Sequence, residues 1–217
     1  CSSLTSFPLI DTSSVTNFSF TWRDCSSLTS FPLIDTSSGT NFQSTWQNCS
    51  GITTFPLINT SSATTPRDAW NGCSGLTSFP ALDLSSGTDF RGAWLGCSGI
   101  TTFPSITPTS GTDFGSAWRN CTSLTTYPAN QFDTTGTLTS SAFDIAFSNC
   151  ALTVQSIENI FTSLDTNGSQ NVALSIGSGT NANASTWSTD AIIAYRNLNN
   201  KGWTISQNET PSMSELE

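Results

Sequence analysis

The stretch CSSLTSFPLIDTSSVTNFSFTWRD at residues 1–24 runs straight into CSSLTSFPLIDTSSGTNFQSTWQN at residues 25–48, two near-copies of one 24-residue unit. Working outward from this pair, cysteine recurs at Cys1, Cys25, Cys49, Cys73, Cys97 and Cys121. Leu4, Leu28, Ile52, Leu76, Ile100 and Leu124 keep the same step, as do Phe-Pro pairs from Phe7, Phe31, Phe55, Phe79 and Phe103 and the Tyr127-Pro128 pair. A third row is Trp22, Trp46, Trp70, Trp94 and Trp118. Such a period is the signature of a solenoid, in which each unit buries its apolar face against its neighbours. The sixth unit, Cys121 to Cys150, is longer, with Phe143 and Phe147 in the Phe and Trp positions before its closing cysteine. Its extra residues lie between Pro128 and Phe143 and are expected to bulge from the stack as a loop.

Inside a unit, Leu4, Phe7 and Leu9 follow the L-x-x-L-x-L spacing of a short strand and its continuation. Val15, Phe18, Trp22 and Cys25 fall at i, i+3, i+7 and i+10, the spacing of one helix face. The fold class this predicts is an α/β solenoid of strand-turn-helix coils, with Gly39, Gly87, Gly111 and Pro66 making the helix irregular in places. Parallel strands about 4.8 Å apart would pair only narrowly, because the proline of each unit has no N–H to donate. After Cys150 the period is lost. Thr153 can cap a helix bearing Ile157, Ile160, Phe161 and Leu164 and ended by Asn167-Gly168. Residues 172–176 read as a strand, Ser188 or Thr189 opens a second helix, and residues 203–206 read as a second strand. The division is a solenoid over 1–150, an α/β cap over 151–208 and an acidic tail over 209–217. The absence of an initiator Met and of a signal sequence ahead of Cys1 suggests that a preceding part has been left out.

Six Lys and Arg stand against 15 Asp and Glu, a formal charge of -9, so there is no basic patch to neutralise phosphates and nucleic acid is not an expected partner. No apolar run approaches the roughly 20 residues of a membrane span, which argues against membrane insertion. There is no His, Lys201 is the single Lys, and no nucleophile motif is present, so no catalytic residue and no cofactor are expected. The seven cysteines suit a buried, reduced ladder better than a metal cluster, whose ligands must converge on one point. The tryptophans share a face with the Phe and Cys rows and are expected in the core. Asp11, Asp35, Asn59 and Asp83 recur at one position and could line up for calcium, but Asp-Thr-Ser is also an ordinary side-chain-closed turn.

The run C-S-S-L-T-S-F-P-L-I-D-T-S-S resembles the leucine-rich repeats of BspA-like bacterial surface proteins over residues 1 to about 150, with Phe-Pro where many relatives carry Leu-Asp or Ile-Asp. The ending G-T-N…K-G-W-T is similar to segments that follow such repeats in phage tail-fibre and other virion proteins. The resemblance implies a non-catalytic adhesion or receptor-recognition module on a virion appendage or a bacterial cell surface, binding a cell-surface glycan or protein. The surface it would use is the strand face or the loop of the enlarged sixth unit, Ala129 to Ser141. On the strand face Thr5, Thr29, Thr53, Thr77, Thr101 and Thr125 form one row and Ser6, Ser30, Thr54, Ser78, Thr102 and Thr126 another. Short hydroxyl side chains keep a strand face flat and present donors and acceptors at fixed intervals. Two other readings stay open: a rigid spacer or decoration protein packed only on neighbouring subunits of its assembly, and an ice-binding surface.

Overall fold

Between Val15 and Cys25, where the apolar spacing predicts a helix, the backbone forms a succession of tight turns in the computed structural model, which describes residues 1–208. Thr21, Arg23 and Cys25 N–H groups donate three residues back, to Phe18, Phe20 and Trp22 carbonyls. The alternate N–H groups point along the stack instead: Phe18 to Asn41 O at 2.8 Å, Phe20 to Gln43 O at 3.0 Å, Trp22 to Thr45 O at 2.9 Å and Asp24 to Gln47 O at 2.8 Å. Left-handed residues make this alternation possible. Phe20 has φ 61° and Asp24 φ 60°, and the same two positions are left-handed in each later unit, as Ser44 and Asn48, Asp68 and Gly72, Gly92 and Gly96, Ser116 and Asn120, and Ile145 and Asn149. A residue with positive φ reverses the curl of the chain, so no helical turn completes. The position before each cysteine holds only Asp, Asn or Gly, the residues that tolerate this region best.

The expected strand-turn-helix unit is therefore corrected. Within residues 1–150 there is no named helix or strand, and the bridges linking one 24-residue unit to the next are isolated ones, such as Asn17 with Asn41 and Thr102 with Thr126. Main-chain bonding between units runs chiefly along the segment expected to be helical. On the Thr side it is sparser, with Thr77 N–H on Thr53 O at 3.2 Å and Thr125 N–H on Thr101 O at 3.0 Å.

The stacked units enclose several files of side chains, among them indoles, phenyl rings and thiols. Neighbouring indoles of Trp22, Trp46, Trp70, Trp94 and Trp118 lie 5.4–5.9 Å apart with planes within 11° of parallel. Phe147 continues the file at 4.8 Å from Trp118. The second file, Phe31, Phe55, Phe79, Phe103 and Tyr127, meets the indoles edge to face, for instance Phe55 with Trp46 at 80°. Offset stacking along the axis combined with edge contacts across it is the arrangement ring quadrupoles favour. The buried indole N–H groups of Trp46, Trp70, Trp94 and Trp118 have no hydrogen-bond acceptor.

The third file is the cysteines. Cys25, Cys49, Cys73, Cys97, Cys121 and Cys150 are buried free thiols, while Cys1, expected in the same ladder, is exposed. From the third unit onward each Sγ donates to the carbonyl of a tryptophan, Cys49 to Trp22 O at 3.0 Å and Cys73 to Trp46 O at 3.1 Å. A second expectation also fails, because Leu9 is 72% exposed and Leu33 and Leu57 nearly as much. The next residue turns inward instead, as Ile34, Ile58, Leu82 and Ile106.

The enlarged sixth unit, expected to bulge, turns part of its extra length into the core while residues such as Thr134, Thr137 and Ser140 stay exposed. Gln131, Phe132 and Leu138 are buried, and Phe132 packs on Phe143, Phe114 and Tyr127. Gln131 Oε1 accepts the Ile106 N–H at 3.1 Å, and Ser163 Oγ accepts that of Phe132 at 2.7 Å. Part of the extra length thus supplies core. Beyond it lie α1 (Val154–Asn167), β1 (Ala173–Ser175), a 3₁₀ turn (Ala184–Thr186), α2 (Thr189–Asn200) and β2 (Thr204–Ser206). Thr153 and Ser188 cap the helices with their hydroxyls, and Gly168 ends α1 at φ 79°, so both helices start where the capping pattern places them. β1 and β2 pair in parallel. The axial ladder passes onto this segment: Phe147 N–H reaches Ser175 O and Ile176 N–H reaches Ser206 O. The acidic tail read at 209–217 lies outside the described residues.

Candidate functional site

The hydroxyl rows form a continuous uncharged surface. Thr5, Ser6, Thr29, Ser30, Thr53, Thr54, Thr77, Ser78, Thr101, Thr102 and Thr126 are exposed. Thr125 is half-buried beside α1, where Ser156 Oγ donates to its carbonyl at 2.8 Å. Some of these hydroxyls are engaged within the stack: Thr125 Oγ1 donates to Thr101 O at 3.1 Å and Thr77 Oγ1 to Thr53 O at 3.4 Å. Thr thus satisfies the preceding carbonyl and tolerates the extended backbone, a structural reason for its recurrence.

Asp11, Asp35, Asn59 and Asp83 each close a turn. In each case Oδ1 accepts the N–H of the residue two on, Ser13, Ser37, Ser61 or Ser85, at 2.9–3.1 Å. The Ser hydroxyl bonds, followed by these backbone bonds, hold the Asp11, Asp35 and Asp83 carboxyls below the usual carboxylate range. Their geometry is that of an Asx turn.

Charge collects on the turn segment. Arg23, Arg67, Arg91 and Arg119 all sit there, at the fifth or first residue before the left-handed Asp, Asn or Gly that precedes each cysteine. Arg91 is held by Asp89, Nε to Oδ1 at 2.9 Å and Nη2 to Oδ2 at 2.6 Å, and its Nε lies 3.6 Å from Asp113 Oδ2. Burial alone would raise the Asp89 carboxyl, but the hydrogen bonds and charge of Arg91 outweigh it and hold it low. Arg67 Nε stands 3.6 Å from Asp68 Oδ2 and has no hydrogen-bond acceptor. Between these groups opens a recess of about 350 Å³, walled by Arg67, Asp68, Arg91, Asp113, Asp144 and Ile145 among others.

These are residues the sequence reading passed over. The signal was present within the chain itself. One position of the unit reads Ser19, Gln43, Arg67, Arg91 and Gly115, and the next Phe20, Ser44, Asp68, Gly92 and Ser116. The exposed Thr row varies not at all over the same units. Among the described residues no helix is long and apolar enough to cross a membrane. No family model matches the sequence, and no curated protein matches it as a relative.

Proposed function

We propose that this chain is a non-catalytic adhesion or receptor-recognition module, displayed on a virion appendage such as a tail fibre or on a bacterial cell surface, with a leucine-rich-repeat-like solenoid as its scaffold. The observation that carries the reading is the continuous file of units, each hydrogen-bonded to the next, that holds exposed side chains in register over six repeats. A repetitive, closely packed body presents a long surface without paying ordering entropy on contact. Its partner on this reading is a cell-surface glycan or protein. The spacer or decoration reading has its own support, because Thr77 and Thr125 use their hydroxyls inside the stack.

Counting fluorescently labelled protein on a panel of bacterial and eukaryotic cells tests the proposal. Saturable binding to at least one cell type is expected. No saturable binding to any of them overturns adhesion in favour of the spacer. The double variant Thr53→Lys, Thr77→Lys then locates the contact: reduced binding assigns it to the hydroxyl rows, and undiminished binding moves it to the charged turn segment.

A further inference from the structure

We infer that the recess on the turn segment is a saccharide-binding site for a short neutral glycan, an inference that rests on the adhesion reading and gives it a ligand class. Three observations converge there. The first is that the recess is made by departures from the unit pattern. Gly115 stands where earlier units carry Gln43, Arg67 or Arg91, so the side chain that would fill the space is missing. The atoms nearest a Cβ at Gly115 would be Asp113 Oδ1 at 3.3 Å, Arg91 Cγ at 3.6 Å and Ser141 O at 3.7 Å, none of them closer than 3.0 Å, so the opening is not forced by the backbone.

The second is a donor without an acceptor. Arg67 Nε makes no hydrogen bond within the chain, with Asp68 Oδ2 at 3.6 Å as its ion-pair partner, and the half-exposed Arg67 side chain lines the recess. Such a group costs stability unless something satisfies it. The third is Ile145, which puts an apolar side chain in the wall where the three preceding units carry Asp68, Gly92 and Ser116.

The chemistry selects the ligand. Carboxylates of Asp68, Asp113 and Asp144 outnumber the guanidinium groups of Arg67 and Arg91, and Arg91 is already paired with Asp89, so an anionic ligand would be repelled. A cation would meet Arg67 directly. A hydroxyl group donates and accepts at once, and a sugar's neighbouring hydroxyls match the paired donors of Arg and paired acceptors of Asp. Leu95 and Ile145 supply apolar surface for the C–H face of a ring. The recess offers no deep apolar pocket of the kind that anchors a protein side chain.

The test prints neutral and carboxylate-bearing oligosaccharides side by side and probes them with the labelled intact chain, followed by titration calorimetry with the best neutral sugar. We expect binding to a neutral saccharide that Gly115→Gln and Arg67→Ala each weaken about tenfold or more. Gly115→Gln restores the residue of the second unit, so its thermal midpoint should stay unchanged, and the double variant Thr53→Lys, Thr77→Lys should still bind. Preference for carboxylate-bearing sugars, or neutral-sugar binding that survives Gly115→Gln, overturns the assignment. If no printed saccharide binds while the chain still adheres to cells, the glycan site falls and adhesion stands. If neither binding is seen, both fall.

Discussion

Each buried cysteine does two things at residue scale: it fills a place in the hydrophobic core, and from Cys49 onward its Sγ gives a hydrogen bond to a tryptophan carbonyl. Burial is the main reason that the Cys49 and Cys150 thiols are pushed up from about 9 to about 12, and Cys73, Cys97 and Cys121 are raised as well. A thiol kept neutral in the folded chain but free to ionise in the unfolded one stabilises the fold fully below pH 9. That contribution is lost as pH climbs from about 9 towards 12. The denaturant midpoint is therefore expected to fall across this window, and a flat profile would show that the thiols ionise without hindrance. Alkylation of the native chain at pH 8 should modify Cys1 alone, since the other thiols are buried. All seven should react after unfolding in the absence of reductant, whereas any shortfall would reveal disulfides.

At the scale of the element, apolar residues at i, i+3 and i+7 serve a helix and a succession of tight turns equally well, which is why periodicity alone misread residues 15–25. The deciding residues were Asp24, Asn48, Gly72, Gly96 and Asn120, a left-handed position filled by poor helix formers in every unit. The helices of the cap were legible because capping is local: Thr153, Gly168 and Ser188 fix ends within a few bonds. The candidate recess was not legible, because it depends on which side chain is missing between units, and that requires knowing that positions 24 apart are neighbours through a turn. A related fit concerns the start of the turn segment. A Cβ at Gly39, Gly87 or Gly111 would lie 2.4–2.6 Å from the Cζ of Phe42, Phe90 or Phe114. The unit with Pro66 in place of that Phe carries Ala63 there, and the first unit keeps a half-buried Val15 beside Phe18. Gly87→Val should accordingly destabilise the chain by about 1–3 kcal/mol through overpacking. Ala63→Gly should cost no more than about 1 kcal/mol. Equal losses in chemical denaturation would break the proposed coupling between the two positions.

Across the whole molecule, bonds that pass from each unit to the next make the stack a chain of dependent interfaces, carried by Phe147 and Ile176 into the C-terminal segment. Trp70 occupies its middle and is 1% exposed. Trp70→Ala should destabilise by about 3–5 kcal/mol in denaturant unfolding, because rigid neighbours on both sides cannot collapse into the space. A loss below about 1 kcal/mol would mean that the units are nearly independent. The same file of indoles has an optical consequence. Five parallel chromophores at 5.4–5.9 Å are close enough for their transition dipoles to couple, so an absorbed ultraviolet photon is shared along the row rather than confined to one ring. The near-ultraviolet circular dichroism of the folded chain should carry a split, sign-changing tryptophan band, and its amplitude would report on the integrity of the axis without any added label.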